Sequence, residues 1–380
     1  MQLKKIAIIA IAVVLLLVLT SIGVGCKATT AATTAAAETT VAAATTAAAE
    51  TTAAAETTAA ATTAAPKKDI EIVFVHKLLG IPWIFRETTG VEAAGKDLGI
   101  KTSLTAPQKS GDVVEQVKVV EDLVARGVSA IVVVPVDPAS MVPVFKKAKE
   151  KGIIVITSES ENQPGVDFDI EPFNNAAYGR WQMDLLAKAM GNKGKVAYFT
   201  GELPPGTPAL NAWIDGALAE AKEKYPDIKQ ATERLAMHDD ADVTYNDTID
   251  LINTYPDLTG IFTTGASGAP GAAKAVGEKK KSDQITVGGT SIPSMTAQYL
   301  ADGSLKFITG WDPADLGYSL VAALYAMLNG QKYTEGQDVP HLGKISMAPY
   351  STGTGTNIYG QAQKSWTKDN YLGTDGKPLF

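Results

Sequence analysis

The sequence predicts an α/β protein built from two doubly wound, parallel-sheet lobes. From about residue 70, short apolar runs alternate with segments in which apolar residues recur at helical spacing. Prolines and N-capping residues open the helical segments and glycines follow them. Strands that alternate with helices indicate parallel sheets covered on both faces. Because 380 residues exceed one ordinary core, we expect two lobes.

The individual elements follow from these patterns. The strand at residues 166–170 follows its predecessor without a helix, so we interpret it as a link between the lobes. The predicted strands are residues 70–75, 100–104, 130–134, 153–157, 166–170, 195–199, 228–235, 260–264, 285–288 and 305–309. The predicted helices are residues 83–98, 112–126, 139–151, 174–190, 208–224, 241–254, 269–279, 293–301 and 313–328. In the tail, residues 342–345 are a further candidate strand, and residues 361–380 are expected to pack across either lobe.

The N-terminal region has the composition of an exported, tethered protein. Two lysines precede the apolar run at residues 6–19, and small residues lead to Cys26, which indicates an export signal over residues 1–25. A membrane-spanning anchor is the alternative. Residues 27–65 are almost all Ala, Thr and Glu and cannot form a core, so we expect a disordered linker over residues 26–68, a candidate for O-glycosylation.

Composition excludes several classes of function. The net charge of −7 argues against a nucleic-acid partner, and a single cysteine excludes a disulfide within the chain and a cysteine-based metal site. Residues 265–269 lack the second glycine of a hydrolase nucleophile elbow, and Gly353-x-Gly355 follows no clear strand. His238-Asp-Asp-Ala-Asp242 is interpreted as a capped turn with Asp240 or Asp242 as the cap. We therefore expect no catalytic residue, no metal and no cofactor.

Ligand-site candidates come from the carboxyl ends of the strands, where open parallel sheets bind ligands. Several of them also have a simpler interpretation: Lys77 and Glu159 as surface charges, Trp83 and Trp213 as packing, and Asp312 as a helix N-cap ahead of Pro313. The strand-end candidates are His76, Lys77, residues 135–137, residues 158–161, residues 200–207 with Asn211 and Trp213, residues 265–270, residues 289–291, Trp311 and Asp312.

The chain resembles the periplasmic binding proteins of ABC sugar importers. Within their ribose-binding (type I) class, it is most similar to the branch of rhamnose-binding and autoinducer-2-binding proteins. The resemblance covers about residues 69–370. It is carried by residues 74–80 (FVHKLLG), residues 122–138 (DLVARGVSAIVVVPVDP), residues 194–199, Asn211-Ala-Trp213 and residues 310–317.

The resemblance implies a fold of two lobes joined by three crossing segments that close on a ligand. The N-terminal lobe would comprise residues 69–172 and 311–338, and the C-terminal lobe residues 173–310 and 339–380. It further implies a non-enzymatic, monomeric protein that captures a pentose, hexose or deoxyhexose and delivers it to an ABC permease. Cys26 matches the lipidated cysteine of bacterial lipoproteins, although Gly23 stands where those proteins usually have Leu. We thus expect a lipid anchor at the outer face of the cell membrane.

The same resemblance names ligand contacts. Lys77 and Glu159 match contacts after the first and fourth strands, and Asn211 lies where ribose binders have an arginine. Ala209 and Leu210 replace two polar contacts of autoinducer-2 binders, which favours a sugar over autoinducer-2. A receptor for autoinducer-2 or a nucleoside-like ligand remains the alternative. The predicted contacts are Lys77, Trp83, Glu159, Asn211, Ala266, Ser267, Thr290, Trp311 and Asp312.

Overall fold

The computed structural model describes residues 69–351 and 353–380, which build two α/β lobes. The expected signal peptide, Cys26 and linker lie outside the described residues. The strands are β1 (Glu71–Val75), β2 (Lys101–Thr105), β3 (Ala130–Val133), β4 (Ile154–Thr157), β5 (Phe168–Glu171), β6 (Gly194–Thr200), β7 (Ile228–Gln230), β8 (Leu235–Ala236), β9 (Leu258–Thr263), β10 (Thr286–Thr290), β11 (Phe307–Gly310), β12 (Asp338–Val339), β13 (Gly343–Lys344), β14 (Ser346–Pro349), β15 (Thr356–Tyr359) and β16 (Lys364–Trp366). The helices are α1 (Pro82–Leu98), α2 (Val113–Arg126), α3 (Pro138–Glu150), α4 (Asn175–Ala189), α5 (Pro208–Lys224), α6 (Ala241–Thr254), α7 (Gly268–Glu278), α8 (Pro293–Asp302) and α9 (Pro313–Leu328).

Each lobe is organised around one main sheet. The first sheet has the order β14-β15-β5-β4-β3-β1-β2, and the second has the order β16-β11-β10-β9-β6-β7, with β8 also paired to β6. Neighbouring strands are parallel except at one edge of each sheet, where β14 and β16 run antiparallel. The predicted two-lobed α/β fold is confirmed.

The chain crosses between the lobes three times. The first crossing follows β5 at Phe173, and the second follows β11 at Trp311 and Asp312. The third runs from β15 to β16, where the amide of Ala362 donates to the Pro172 carbonyl beside the first crossing. Residues 339–380 were predicted to belong to the second lobe; the structure corrects this for residues 346–359, whereas β16 lies in the second sheet. β14 and β15 complete the first sheet, because β15 pairs with β5 from Thr356↔Phe168 to Tyr359↔Glu171.

Most element ends follow the sequence signals. The side chains of Asp112, Asp137, Asn174, Asp240 and Asp312 cap α2, α3, α4, α6 and α9 by accepting backbone amide hydrogen bonds.

One predicted strand, residues 228–235, is wrong in extent. It is two short strands, β7 and β8, separated by an irregular segment. Within that segment Arg234 turns away to bind the side chains of Asn211 and Asp215, and this breaks the extended run.

Close helix packing fixes the second crossing against the first lobe. A Cβ on Gly90 of α1 would lie 1.9 Å from the backbone oxygen of Ala314 in α9. Only glycine permits this approach, so α9 is packed firmly on α1 directly after the crossing. None of the helices in the part of the chain that the structure describes has the length and apolarity needed to cross a membrane.

Candidate ligand-binding site between the lobes

A cavity lies between the two lobes, beside the second crossing. The lining residues are His76, Lys77, Leu78, Ile81, Trp83, Ile84 and Glu159 from the first lobe, Leu210, Trp213, Asp239, Thr264, Gly265, Ala266 and Thr290 from the second, and Trp311 from the crossing. A ligand held here would contact both lobes.

The sheet topology explains this position. In the first sheet the strand order reverses between β1 and β3, and His76 and Lys77 directly follow β1. In the second sheet the reversal lies between β6 and β9, and residues 264–266 directly follow β9. Ligands of open α/β sheets bind at such reversals, beyond the carboxyl ends of the strands. The cavity therefore joins the two reversal points, one from each lobe.

A buried ion pair forms the charged part of the cavity. Lys77 Nζ donates to Glu159 Oε2 over 2.7 Å, and each side chain is 9% exposed. Burial alone lowers the pKa of Lys77, but the charges of Glu159 and Asp239 outweigh it and the pKa is raised. Lys77 is thus an ammonium group, and its other N–H groups make no hydrogen bond to the part of the chain that the structure describes, so they can donate to an oxygen-rich ligand.

His76, the residue before Lys77, forms a second buried pair with Glu87. His76 Nε2 lies 3.6 Å from Glu87 Oε2. Burial raises the pKa of Glu87 well above its ordinary value, and the charge of Glu159 adds to this effect. Burial also lowers the pKa of His76, with Lys77 acting in the same direction. Burial therefore disfavours the charged form of both groups, and His76 Nδ1, unpartnered among the described residues, is an open hydrogen-bonding group at the cavity.

Aromatic rings form the wall of the cavity next to the crossings. Trp83 packs edge-on against Trp311, with ring centroids 4.7 Å apart. Trp311 also contacts Phe173 of the first crossing at 5.2 Å. Trp213 lies 6.1 Å from Trp311 and donates its Nε1 hydrogen to Asn175 Oδ1 over 2.5 Å. These rings offer an apolar surface opposite the charged groups, an arrangement suited to a ligand with polar edges and C–H faces.

A hydrogen-bond network positions the Thr290 hydroxyl at the cavity. Gln182 Nε2 donates to Thr290 Oγ1 over 3.0 Å and to Thr309 Oγ1 over 2.6 Å. Tyr178 Oη donates to Thr309 Oγ1 over 2.9 Å. Because Gln182 supplies a donor to Thr290, the hydroxyl hydrogen of Thr290 can turn towards Tyr178 Oη or towards a ligand acceptor.

The structure brings together six of the nine ligand contacts predicted from the sequence. These six line the cavity: Lys77, Trp83, Glu159, Ala266, Thr290 and Trp311.

The other three predicted contacts lie outside the cavity lining. The amide nitrogen of Asn211 donates to the carbonyls of Glu202, Gly206 and Thr207, while its oxygen accepts from Arg234. Asn211 thus braces the loop after β6. Asp312 accepts both N–H groups of a forked pair from Arg86, and Ser267 occupies the buried N-cap position of α7.

The nine predicted contacts leave out several lining residues. For Trp213 the sequence makes core packing at least as likely as ligand contact, yet Trp213 reaches the cavity from the same helix as Asn211. Asp239 was grouped with the capped turn at residues 238–242, where Asp240 is the cap and Asp239 faces the cavity. The position of His76 directly after β1 was a sequence signal for its place at the cavity.

Among residues 69–351 and 353–380, no group of three or more His, Cys, Asp or Glu could hold a metal ion.

Comparison with known proteins agrees with this architecture. A D-allose-binding periplasmic protein of Escherichia coli is 25% identical over 281 residues, which cover 71% of this chain and 86% of that protein. A solute-binding protein from Agrobacterium radiobacter, solved with D-arabinose, is 26% identical with a TM-score of 0.68 and covers 80% of this chain and 96% of its own. LsrB from Clostridium saccharobutylicum, solved with AI-2, shares the fold at 20% identity with a TM-score of 0.71, covering 79% and 98% of the two chains.

The family relationship rests on more than these pairwise similarities. The family model described as "Periplasmic binding protein domain" matches residues 72–332, which include all the residues that line the cavity. The matched segment is more than half of the 380-residue chain. The protein therefore belongs to the periplasmic binding protein domain family.

Proposed function

We propose that this protein is an extracytoplasmic solute-binding protein that captures a monosaccharide in the cavity between its lobes. The observation that carries the proposal is the composition of that cavity: a buried Lys77–Glu159 ion pair faces a wall of three tryptophans, and both lobes contribute to it. The relatives that bind allose or arabinose support the same ligand class.

The chemistry of the cavity suits a neutral sugar. Each sugar hydroxyl both donates and accepts hydrogen bonds, so it satisfies an ammonium donor and a carboxylate acceptor at once. The C–H faces of the ring would rest on Trp83 and Trp311, where aromatic contact adds to burial. Because groups from both lobes contact the ligand, the ligand favours the closed arrangement of the lobes.

Calorimetry on the purified protein tests the ligand class. The panel contains D-ribose, D-allose, D-arabinose, L-rhamnose, D-glucose, autoinducer-2, adenosine and an amino-acid mixture. We expect at least one monosaccharide to bind with a dissociation constant of about 10 μM or tighter, which corresponds to about 7 kcal/mol. Binding of autoinducer-2 or adenosine with no sugar binding would establish the alternative receptor function instead.

Delivery and attachment form the second part of the proposal. A protein of this family would hand its sugar to a membrane permease of an ABC importer, working as a monomer that a lipid on Cys26 holds at the outer face of the membrane. Membrane fractionation tests the anchor: Cys26→Ala is expected to move the protein from the membrane fraction to the soluble fraction. Retention of the variant in the membrane fraction would instead indicate that the apolar run at residues 6–19 is a spanning anchor.

A further inference from the structure

Asp239 is a cavity-lining carboxylate that has no hydrogen-bond or ion-pair partner among the described residues. It enters the cavity from the turn between β8 and α6. Its carboxylate makes no hydrogen bond or ion pair with any residue of the described chain, whereas its neighbour Asp240 caps α6. Burial raises the pKa of Asp239, and the positive charge of Lys77 opposes that rise. An acceptor with this environment requires a donor from outside the protein.

The backbone is shaped to present this side chain. His238 and Asp239 adopt φ angles of 53° and 51°, so two consecutive non-glycine residues lie in the left-handed region. This conformation sends the two side chains to different places. His238 Nδ1 pairs with Glu202 Oε1 at 2.8 Å, and Asp239 lines the cavity. Such a backbone conformation persists where the surrounding structure enforces it.

The facing loop leaves room for the carboxylate. Gly265, which follows β9, also lines the cavity. A Cβ at this position would lie 2.2 Å from Asp239 Oδ1, closer than any tolerated contact. Met237 Cε would lie closer still, at 2.0 Å, so glycine at position 265 accommodates both the Met237 and the Asp239 side chains.

Lys77 and Asp239 together define a site for one hydroxyl group. They face the same cavity from opposite lobes and are coupled electrostatically, yet they form no direct ion pair. Lys77 offers only donors and the ionised carboxylate offers only acceptors. An oxygen bound by both must accept one hydrogen bond and donate another, which an alcohol does and a carbonyl or ether oxygen does not.

We propose that Asp239 is a specificity-determining ligand contact of the second lobe, which accepts a hydrogen bond from a sugar hydroxyl whose oxygen accepts one from Lys77. This assignment rests on the proposed monosaccharide function and adds the group that selects a particular hydroxyl. It also gives the second lobe a charged contact to match the Lys77–Glu159 pair of the first.

The test compares Asp239→Asn with Asp240→Asn. Asparagine tolerates the left-handed conformation, so Asp239→Asn keeps the turn and removes only the charge. Asp240→Asn removes the same charge from the adjacent exposed residue and retains a capping oxygen. Calorimetry with the tightest-binding sugar of the panel is expected to show at least tenfold weaker binding for Asp239→Asn and a change within twofold for Asp240→Asn.

Monodeoxy analogues of that sugar separate direct contact from a structural effect. For the one analogue that lacks the contacted hydroxyl, wild type and Asp239→Asn should bind with equal affinity. Gly265→Ala, a second variant, is expected to weaken wild-type binding, because its Cβ would meet Asp239 Oδ1 and Met237 Cε. If wild type and Asp239→Asn bind the parent sugar with equal affinity, Asp239 is not a ligand contact, although the proposed function still stands. The same conclusion follows if Asp239→Asn weakens the binding of every analogue by the same factor. Absence of any sugar binding by the wild type overturns the proposed function and this contact with it.

Discussion

Trp83 of α1 packs edge-on against Trp311 of the second crossing, with their ring planes at 85°. Trp311 in turn contacts Phe173 of the first crossing and Trp213 of the second lobe. These contacts place the aromatic wall of the cavity directly on the segments that connect the lobes. A ligand that packs against this wall would therefore influence the angle between the lobes as well as fill the space.

Replacing Trp83 tests the aromatic wall. Trp83→Leu is expected to weaken sugar binding about tenfold, because it removes a ring face worth about 1–2 kcal/mol to a stacked ligand. The matched control is Trp366→Phe, since Trp366 is buried on β16 and packs against Phe380 away from the cavity. Calorimetry measures both affinities. If both variants lost the same affinity, the loss would reflect disturbed packing of the protein and not the loss of a ligand contact at Trp83.

Neutralising Glu159 tests the buried ion pair. Glu159→Gln keeps the size of the side chain but removes the charge that orients Lys77, so sugar affinity should fall by more than tenfold, in line with about 1.5–3 kcal/mol for a charged hydrogen bond. Asp167→Asn is the control, because the Lys149–Asp167 pair has a similar N···O distance of 2.6 Å but is exposed on both sides. Unchanged affinity of Glu159→Gln would remove Glu159 from the site.

Replacing Asp312 tests whether this residue stabilises the second crossing or contacts the ligand. It caps α9 and forms a forked pair with Arg86, with N···O distances of 2.8 and 2.6 Å. We expect Asp312→Ala to lower the free energy of unfolding by about 2 kcal/mol and to affect sugar affinity less than Glu159→Gln does. Asp315→Ala, on the same helix turn, removes a half-exposed pair with His341 and should cost less than about 1 kcal/mol. A tenfold affinity loss at unchanged stability would instead make Asp312 a direct contact.

Asp169 predicts a pH dependence of stability. Burial raises the pKa of Asp169 to about 6. The pKa of the neighbouring Glu171 is also raised well above its ordinary value, by burial and by the charge of Asp169. The folded protein thus holds this proton more tightly than the unfolded chain, whose Asp pKa is about 3.9. The stabilisation from Asp169 is present below about pH 4 and is lost as pH rises through about 6.

Relative to wild type, Asp169→Asn is therefore expected to have a higher free energy of unfolding, and this gain should be larger at pH 8 than at pH 4.5. The increment is at most about 3 kcal/mol. The variant retains an oxygen for the hydrogen bond from Thr157. Denaturant unfolding at both pH values gives the difference, with Asp167→Asn as the exposed control. A variant-minus-wild-type difference that is the same at both pH values would contradict a raised pKa.

Much of the fold was predictable from the sequence because local signals and burial agree. The capping side chains of Asp112 and Asn174 and the prolines that open α1, α3, α5 and α9 mark helix starts without tertiary information. The edge strands β14 and β16 were harder to predict. Both are short and partly exposed. β14 pairs with the adjacent β15, whereas β16 pairs with β11, which lies far earlier in the sequence.

Site residues were less predictable, because the ends of strands indicate at which edge of a sheet the site lies but not which side chains meet in the cavity. Asn211 and Trp213 lie two positions apart on α5, and only the packing of α5 against α4 decides that Trp213 reaches the cavity while Asn211 binds its own loop. Asp239 was hidden for a similar reason. Its role depends on a left-handed backbone and on Gly265 of another loop, which no local pattern reveals.

A crystal structure of the protein with the tightest-binding sugar of the panel tests the central claim most directly. We predict a sugar between the lobes, with one hydroxyl oxygen within about 3.2 Å of Lys77 Nζ and a ring face against Trp83 or Trp311. Groups of the second lobe, including Asp239 and Thr290, should complete its hydrogen bonds. A sugar bound outside this cavity, or one that contacts a single lobe, would contradict the account.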